Sequence, residues 1–124
     1  MHEVGLVEGI VEAVERRAGG RPVARVRVRI GTLHRAGDGP MEQSFELVGA
    51  GTIVEGARLE LVQIPVTSTC GTCGHAEDGA EILLACPSCG SVSIEHAGGD
   101  ELTLESIEYR SEPVEAVETG SAAG

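Results

Sequence analysis

The chain has 124 residues, of which 20 are acidic and nine are basic, and its net charge of −11 disfavours binding to the phosphate backbones of nucleic acids. No apolar run approaches the roughly 18–20 residues that a membrane-spanning helix needs. With one Phe, one Tyr, no Trp and 18 Gly, the core must be aliphatic and modest, and such a chain usually needs disulfides or a structural metal for stability.

The first residues indicate a cytoplasmic protein. Acidic Glu3 and Glu8 stand where a secretory signal peptide has basic residues, and no long apolar stretch follows. In the cytoplasm, four cysteines in paired motifs favour metal binding over disulfides. We expect Met1 to be retained, because the large side chain of His2 is a poor context for its removal.

The first predicted element is an amphipathic helix over residues 4–18, followed by Gly19 and Gly20, which end it. Its apolar face is formed by Val7, Ile10, Val11 and Val14. Met1-His2-Glu3 should therefore project from the helix N-terminus as a free arm.

A strand with one arginine face is predicted next, because Arg25, Arg27 and Arg29 alternate with apolar residues. We interpret the arginines as solvated and paired with glutamates of the first helix. A docking surface for a partner is the alternative. Three arginines without aromatic neighbours do not make a nucleic-acid site.

A second helix and a second strand follow. Pro40 suits the first helical position, Asp38 or Gly39 can cap the helix, and Gly49 ends it. The residues expected to face the sheet are Met41, Phe45 and Val48. Residues 59–64 should form the second strand.

The strongest signal is a pair of Cys-x-x-Cys motifs, each followed by glycine and separated by 12 residues. The four candidate ligands are Cys70, Cys73, Cys86 and Cys89. Two such motifs can surround one tetrahedral ion, and four thiolates leave no open position, which is typical of structural zinc. A rubredoxin-type iron site shares the motif but usually lies among aromatic residues, which are scarce here.

Histidines near the cysteines need a separate interpretation. His75 and His96 are candidates for outer-shell hydrogen bonding to the metal-bound thiolates, although we favour simple surface histidines. His34 belongs to no recognisable group of functional residues.

The predicted fold is α/β (α+β). Residues 1–66 should form a small two-helix, three-stranded domain, completed by a strand over residues 101–110 that rejoins the first sheet. Residues 67–100 should form an inserted zinc-ribbon-like module.

Two further expectations concern segments with weaker patterns. Within the module, residues 82–84 should form a short strand that pairs with residues 92–94. Residues 111–124 are acidic, rich in small residues and without periodicity, so we expect a disordered tail.

Met1, His2 and Glu3 form the second candidate metal site. The Met1 amine, the His2 amide nitrogen and the His2 imidazole can close adjacent chelate rings, and planar nitrogen ligands suit Ni(II) or Cu(II). Glu3 can add its amide or its carboxylate. Because no catalytic triad, phosphate loop or open metal position is found, we expect no enzymatic activity.

These motifs together carry a resemblance to a known family. The residues concerned are Met1-His2-Glu3, Leu6, Ile10-Val11-Glu12, Phe45-Glu46, Gly51-Thr52, Glu55-Gly56-Ala57, Leu59, both cysteine motifs with Pro87 and Ser91, Glu101-Leu102 and Ile107-Glu108. Over about residues 1–110 the chain resembles the HypA/HybF family of hydrogenase-maturation nickel metallochaperones.

The resemblance implies delivery of Ni(II) to the precursor of the [NiFe]-hydrogenase large subunit together with a GTPase partner, and in some bacteria to urease through its accessory proteins. It implies transient nickel at Met1, His2 and Glu3 and structural zinc at the four cysteines. It implies a monomer or a homodimer. The alternative is a zinc-ribbon module for protein interaction in which His2 has no nickel role.

Overall fold

The structure is a computed structural model that describes residues 2–110 and 115–116. The helices are α1 (His2–Ala18) and α2 (Asp38–Gly49), with a 3-10 turn at Thr32–His34. The strands are β1 (Val23–Gly31), β2 (Arg58–Ile64), β3 (Val66–Cys70), β4 (Ala76–Gly79), β5 (Ile94–Ala97), β6 (Leu102–Tyr109) and β7 (Glu115–Ala116). The predicted α+β class is confirmed.

The strands form two sheets. The first has the order β2-β1-β6-β7, so the strand after the cysteine region rejoins the first sheet beside β1, as predicted. The second has the order β4-β3-β5, and both of its pairings are antiparallel. The chain divides into two compact units, of which the second comprises Ile30–Arg35 and Gln63–Glu101. No helix among the described residues is both long and apolar enough to cross a membrane.

The core of the first unit is aliphatic, as the composition requires. Its fully buried side chains include Val7, Ile10, Val14, Val26, Val28, Met41 and Ile107. α1 packs against α2, and Phe45 of α2 is 2% exposed, whereas Val48 is only partly buried. Helix α2 begins at Asp38 after an N-cap at Gly37, so the predicted start at Pro40 is two residues late.

The start of α1 corrects the prediction of a free arm. His2 and Glu3 form the first turn of the helix and do not precede it. No glycine or proline separates them from Val4, and a carboxylate in the first turn interacts favourably with the positive end of the helix dipole. The sequence at this end is therefore compatible with a helix that begins at His2.

The arginine face of β1 is paired, but with strand glutamates and not with those of the first helix. Arg25 Nη2 lies 2.9 Å from Glu108 Oε1, and Arg27 Nε lies 2.9 Å from Glu105 Oε1. Arg27 also contacts Glu60 on β2 at 3.3 Å. Cross-strand neighbours of opposite charge meet on this open sheet face. Because these pairs are half-exposed, each contributes at most about 1 kcal/mol.

The predicted strand at residues 82–84 is wrong. This segment is not a strand, and β5 pairs instead with β3, with Ser68 opposite His96. Leu84 and Val92 are each 80% exposed. These two apolar residues therefore do not lie together on a buried face of a sheet. β3 has the alternating burial that supports a central strand, with Val66, Ser68 and Cys70 buried.

The predicted disordered tail at residues 111–124 falls mostly outside the described residues. The exception is β7, whose Glu115 and Ala116 pair antiparallel with Ile107 and Ser106 of β6.

Two backbone segments approach closely within the second unit. The Gly31 N–H donates to the Glu101 carbonyl at 2.7 Å, and the Leu33 N–H donates to the Gly99 carbonyl at 2.8 Å. A Cβ added to Gly31 would lie 2.0 Å from the carbonyl carbon of Gly99. Only glycine fits at this approach.

Substitution of Gly31 by alanine should destabilise the protein by about 1–3 kcal/mol or more, because the new methyl group meets backbone that has no side chain to move aside. Urea unfolding measures this change in the free energy of unfolding. Gly9→Ala is the matched control, since nothing lies within 4 Å of its added Cβ and it should stabilise α1 by about 0.5–1 kcal/mol. Unchanged stability of Gly31→Ala would contradict the close approach.

Candidate metal centre

The four cysteines of the two motifs converge in the second unit. Their sulfur atoms all lie within 4.8 Å of one another. The Sγ atoms of Cys70 and Cys89 are 3.7 Å apart, and those of Cys73 and Cys86 are 3.6 Å apart. A tetrahedral zinc ion at about 2.3 Å from four sulfurs would place each pair about 3.8 Å apart. The spacing therefore fits one tetrahedrally coordinated ion.

The backbone around each motif is shaped for thiolates. The N–H groups of Thr72 and Cys73 each lie 3.4 Å from Cys70 Sγ, and the N–H of Ser88 lies 3.3 Å from Cys86 Sγ. Gly74 and Gly90, which follow the two motifs, have φ angles of +82° and +79°, where glycine is favoured. The two glycines therefore let the chain turn after each motif.

Serine and threonine side chains contribute to the cysteine region in ways that the motifs did not indicate. Thr72 Oγ1 and Ser91 Oγ are 2.8 Å apart and link the two turns. Ser68 is 2% exposed, and its hydroxyl accepts the Leu83 N–H at 3.3 Å. The only sequence signal for these contacts is the abundance of small hydroxyl residues near the cysteines, which does not identify partners.

The thiols of Cys70 and Cys89 differ in pKa because their hydrogen-bond partners differ. The backbone N–H groups of Cys73 and Thr72 outweigh burial and lower the pKa of Cys70 to about 6. The Ser91 N–H lowers the pKa of Cys89, but burial and the neighbouring sulfurs outweigh it and raise that pKa to about 12. Four sulfurs this close cannot all carry charge without a cation between them, and a divalent metal supplies that charge.

The histidines near the cysteines have other partners. His75 Nε2 lies 2.8 Å from Glu77 Oε1, and His96 Nε2 lies 3.2 Å from the Leu83 carbonyl oxygen. His34 Nε2 lies 2.9 Å from the Asp100 carbonyl oxygen. None of the three belongs to the converging four-sulfur group.

The second candidate site is at the start of α1. His2 Nδ1 lies 3.5 Å from Glu3 Oε1, and the His2 side chain is 54% exposed. Ligand atoms about 2.0–2.2 Å from one ion lie about 3 Å apart when they bind at right angles, so a small movement would bring these two atoms to one ion. Met1, the third predicted nickel ligand, lies outside the described residues.

The Glu3 carboxyl should be ionised near neutral pH. A hydrogen bond from its own backbone N–H lowers the pKa of Glu3 below its ordinary value, and the neighbouring His2 charge also lowers it. The group is therefore ready to serve as an anionic oxygen ligand.

The backbone N–H groups of His2 and Glu3 lie in the first turn of α1. The first four N–H groups of an α-helix have no acceptor within the helix. Deprotonating the His2 amide would therefore break no helical hydrogen bond. The positive end of the helix dipole disfavours a bound cation, so anionic ligands such as a deprotonated amide or the Glu3 carboxylate are needed to offset it.

Sequence comparison links the whole arrangement to one family. Residues 1–109 match the HypA family, described as "Hydrogenase/urease nickel incorporation, metallochaperone, hypA". The chain is 37% identical over 111 residues to hydrogenase maturation factor HypA 2 of Bradyrhizobium diazoefficiens, covering 87% of this chain and 98% of that protein. It is 34% identical to hydrogenase maturation factor HypA of Rhodobacter capsulatus, with the same coverage.

Structural comparison supports the fold. The solution structure of the Ni metallochaperone HypA from Helicobacter pylori aligns with a TM-score of 0.55 and 24% sequence identity, covering 89% of this chain and 98% of that one. A second solution structure of a HypA protein aligns with a TM-score of 0.53 and 23% identity, covering 90% and 95% of the two chains. Both likenesses extend over nearly the full length of the known proteins.

Proposed function

We propose, because the chain belongs to the HypA family of metallochaperones for nickel incorporation, that it carries Ni(II) for the maturation of [NiFe]-hydrogenase. The observation that carries the proposal is the family match over residues 1–109, which spans both the N-terminal residues and the four-cysteine group. The role is that of a carrier and not of a catalyst. Urease is a second candidate recipient.

In this proposal nickel binds at Met1, His2 and Glu3. The Met1 amine, the His2 amide nitrogen and the His2 imidazole form the chelate, and the ionised Glu3 carboxylate adds an oxygen. The exposure of His2 supports a site that loads and releases its ion at the surface. Because binding displaces protons from the amine and the amide, nickel affinity should rise with pH.

Zinc, in the same proposal, binds at Cys70, Cys73, Cys86 and Cys89 and stabilises the second unit. The sulfur spacing and the backbone N–H groups support this assignment. A four-thiolate site has no open position for a ligand to enter. Its ion should therefore exchange slowly, while the nickel ion at the chain terminus exchanges fast.

The proposed partners follow from the family. They are the precursor of the hydrogenase large subunit, a GTPase that acts in nickel insertion and, for a urease recipient, urease accessory proteins. The proposed location is the cytoplasm. The alternative, a zinc-ribbon interaction module without a nickel role, differs from this proposal in one property, since it requires no nickel affinity at the terminus.

Extension of the N-terminus by Gly-Ser, left by protease cleavage before Met1, should weaken nickel binding by at least about tenfold, because it removes the amine from the chelate. Two residues are needed, since a single residue would create a different amine–amide–imidazole chelate. Calorimetric titration of the zinc-loaded chain measures the affinity.

The matched control for this experiment carries Gly-Ser after Gly124 and should bind nickel as the native chain does. If both extended chains bind nickel equally well, coordination through the Met1 amine is refuted.

A further inference from the structure

An open groove of about 850 Å³ lies in the first unit, between α2 and β2. Its apolar lining includes Phe45, Leu47, Leu59 and Leu61. Leu47 is 77% exposed, which is unusual for a leucine on a helix whose other face is packed into a core. The proposed nickel and zinc sites use none of these residues.

One wall of the groove is an edge strand. β2 is the terminal strand of the first sheet, and none of the described strands pairs with its other edge. An edge strand presents unpaired backbone N–H and carbonyl groups to an incoming segment. Such an edge can accept an extended peptide as an added strand, with the peptide backbone giving affinity and its side chains giving specificity.

The charge of the groove is negative. Five carboxylates and two guanidinium groups line it. One of the two guanidinium groups, that of Arg25, is already paired with Glu108 at 2.9 Å. On the other wall, Glu42 and Glu46 are both exposed on α2 and lie four residues apart, a spacing at which like charges repel.

We propose that this groove binds an extended segment of a partner protein in which apolar and basic residues alternate. The backbone of the segment pairs with the free edge of β2. Its apolar side chains cover Leu47 and Leu61, and its basic side chains approach Glu42 and Glu46. The charge of the groove selects a basic partner over a second copy of this chain, which has a net charge of −11.

The test uses the full-length zinc-loaded chain and a blocked peptide of alternating valine and lysine that matches the seven residues of β2. The valine–lysine peptide should bind, and a valine–glutamate peptide should not. The double variant Glu42→Lys, Glu46→Lys should weaken peptide binding by at least about tenfold. Leu47→Asn should weaken it as well, because it removes apolar contact without adding charge.

The matched control is the double variant Glu8→Lys, Glu12→Lys. These glutamates are also exposed and four residues apart on a helix, but they lie on α1, away from the groove lining. The control has the same net charge as the groove variant. Its affinity for the valine–lysine peptide should change by less than about twofold, because salt screens charges that lie far from the bound peptide. Equal losses in the two double variants would show nonspecific attraction and overturn the proposal.

Hydrogen exchange distinguishes strand addition from side-chain contact alone. Peptide binding should protect backbone amides of β2 that face the groove. Peptide binding without new protection in β2 would overturn the strand pairing. Concentration-dependent dimerisation that Leu47→Asn abolishes would assign the groove to a second copy and would also overturn the proposal.

Discussion

Substitution of His2 by alanine should abolish tight Ni(II) binding while one zinc ion stays bound per chain. Even an outer-shell partner of a metal ligand is typically worth ten- to a hundredfold in affinity, so loss of the imidazole ligand should cost more than about a hundredfold. The second chelate ring disappears with the imidazole. The remaining ligands would have to hold a cation against the positive end of the helix dipole of α1.

Calorimetry on untagged, zinc-loaded protein measures the nickel affinity, and elemental analysis measures the zinc content. His96→Ala is the matched control, because it removes an exposed histidine whose Nε2 contacts the Leu83 carbonyl oxygen at 3.2 Å. That variant should bind both metals normally. Equal nickel affinity for His2→Ala and the native chain would refute the terminal site and support the interaction-module alternative.

Substitution of Cys86 by serine should release zinc and unfold the second unit. The buried apolar side chains of this unit are few, namely Ile30, Val66, Cys70 and Cys86. Structural zinc contributes on the order of 10 kcal/mol to folding in zinc-finger peptides, which is comparable to the whole stability of a typical domain. Apolar packing in this unit cannot replace such a contribution.

NMR spectra report the folding of residues 63–101 in the Cys86 variant, and elemental analysis reports its zinc. Ser88→Ala is the matched control, since Ser88 lies between the two cysteines of the motif and contributes its backbone N–H to Cys86 Sγ. The control should keep its zinc and its fold. A zinc-free Cys86→Ser protein with a native-like spectrum would show that the metal is not needed for stability.

Local patterns made most of the first unit predictable. The apolar face of α1 and the alternation in β1 each depend on residues close together in the chain. Both elements form, although α1 begins at His2 and not at residue 4. The four cysteines converge as predicted. This was predictable because two short motifs are enough to indicate one metal site, whatever the rest of the chain forms.

Non-local pairing was less predictable. The partners of Arg25 and Arg27 are glutamates on β2 and β6, far along the chain, and single-sequence periodicity carries no information on strand order. The same limit explains the wrong strand at residues 82–84. Apolar residues there favoured a strand, but only tertiary pairing decides which segment lies beside β3.

The conformation of the proposed N-terminal site was not predictable from its residues. The chelating capacity of a terminal amine followed by histidine is a property of the residues alone. Whether His2 and Glu3 belong to the helix depends on weak end effects. Their helical placement sharpens the proposal, because it supplies amide groups without helical acceptors and a dipole that demands anionic ligands.

The separation of the two metals is tested most directly by the nickel X-ray absorption spectrum of the untagged, zinc-loaded protein with one equivalent of Ni(II). We expect nitrogen and oxygen ligands with an imidazole contribution and no sulfur, because the proposed nickel ligands are Met1, His2 and Glu3 and the proposed zinc ligands are the four cysteines. A nickel–sulfur contribution, with release of zinc, would place nickel on the cysteines and contradict the proposed division between the two sites.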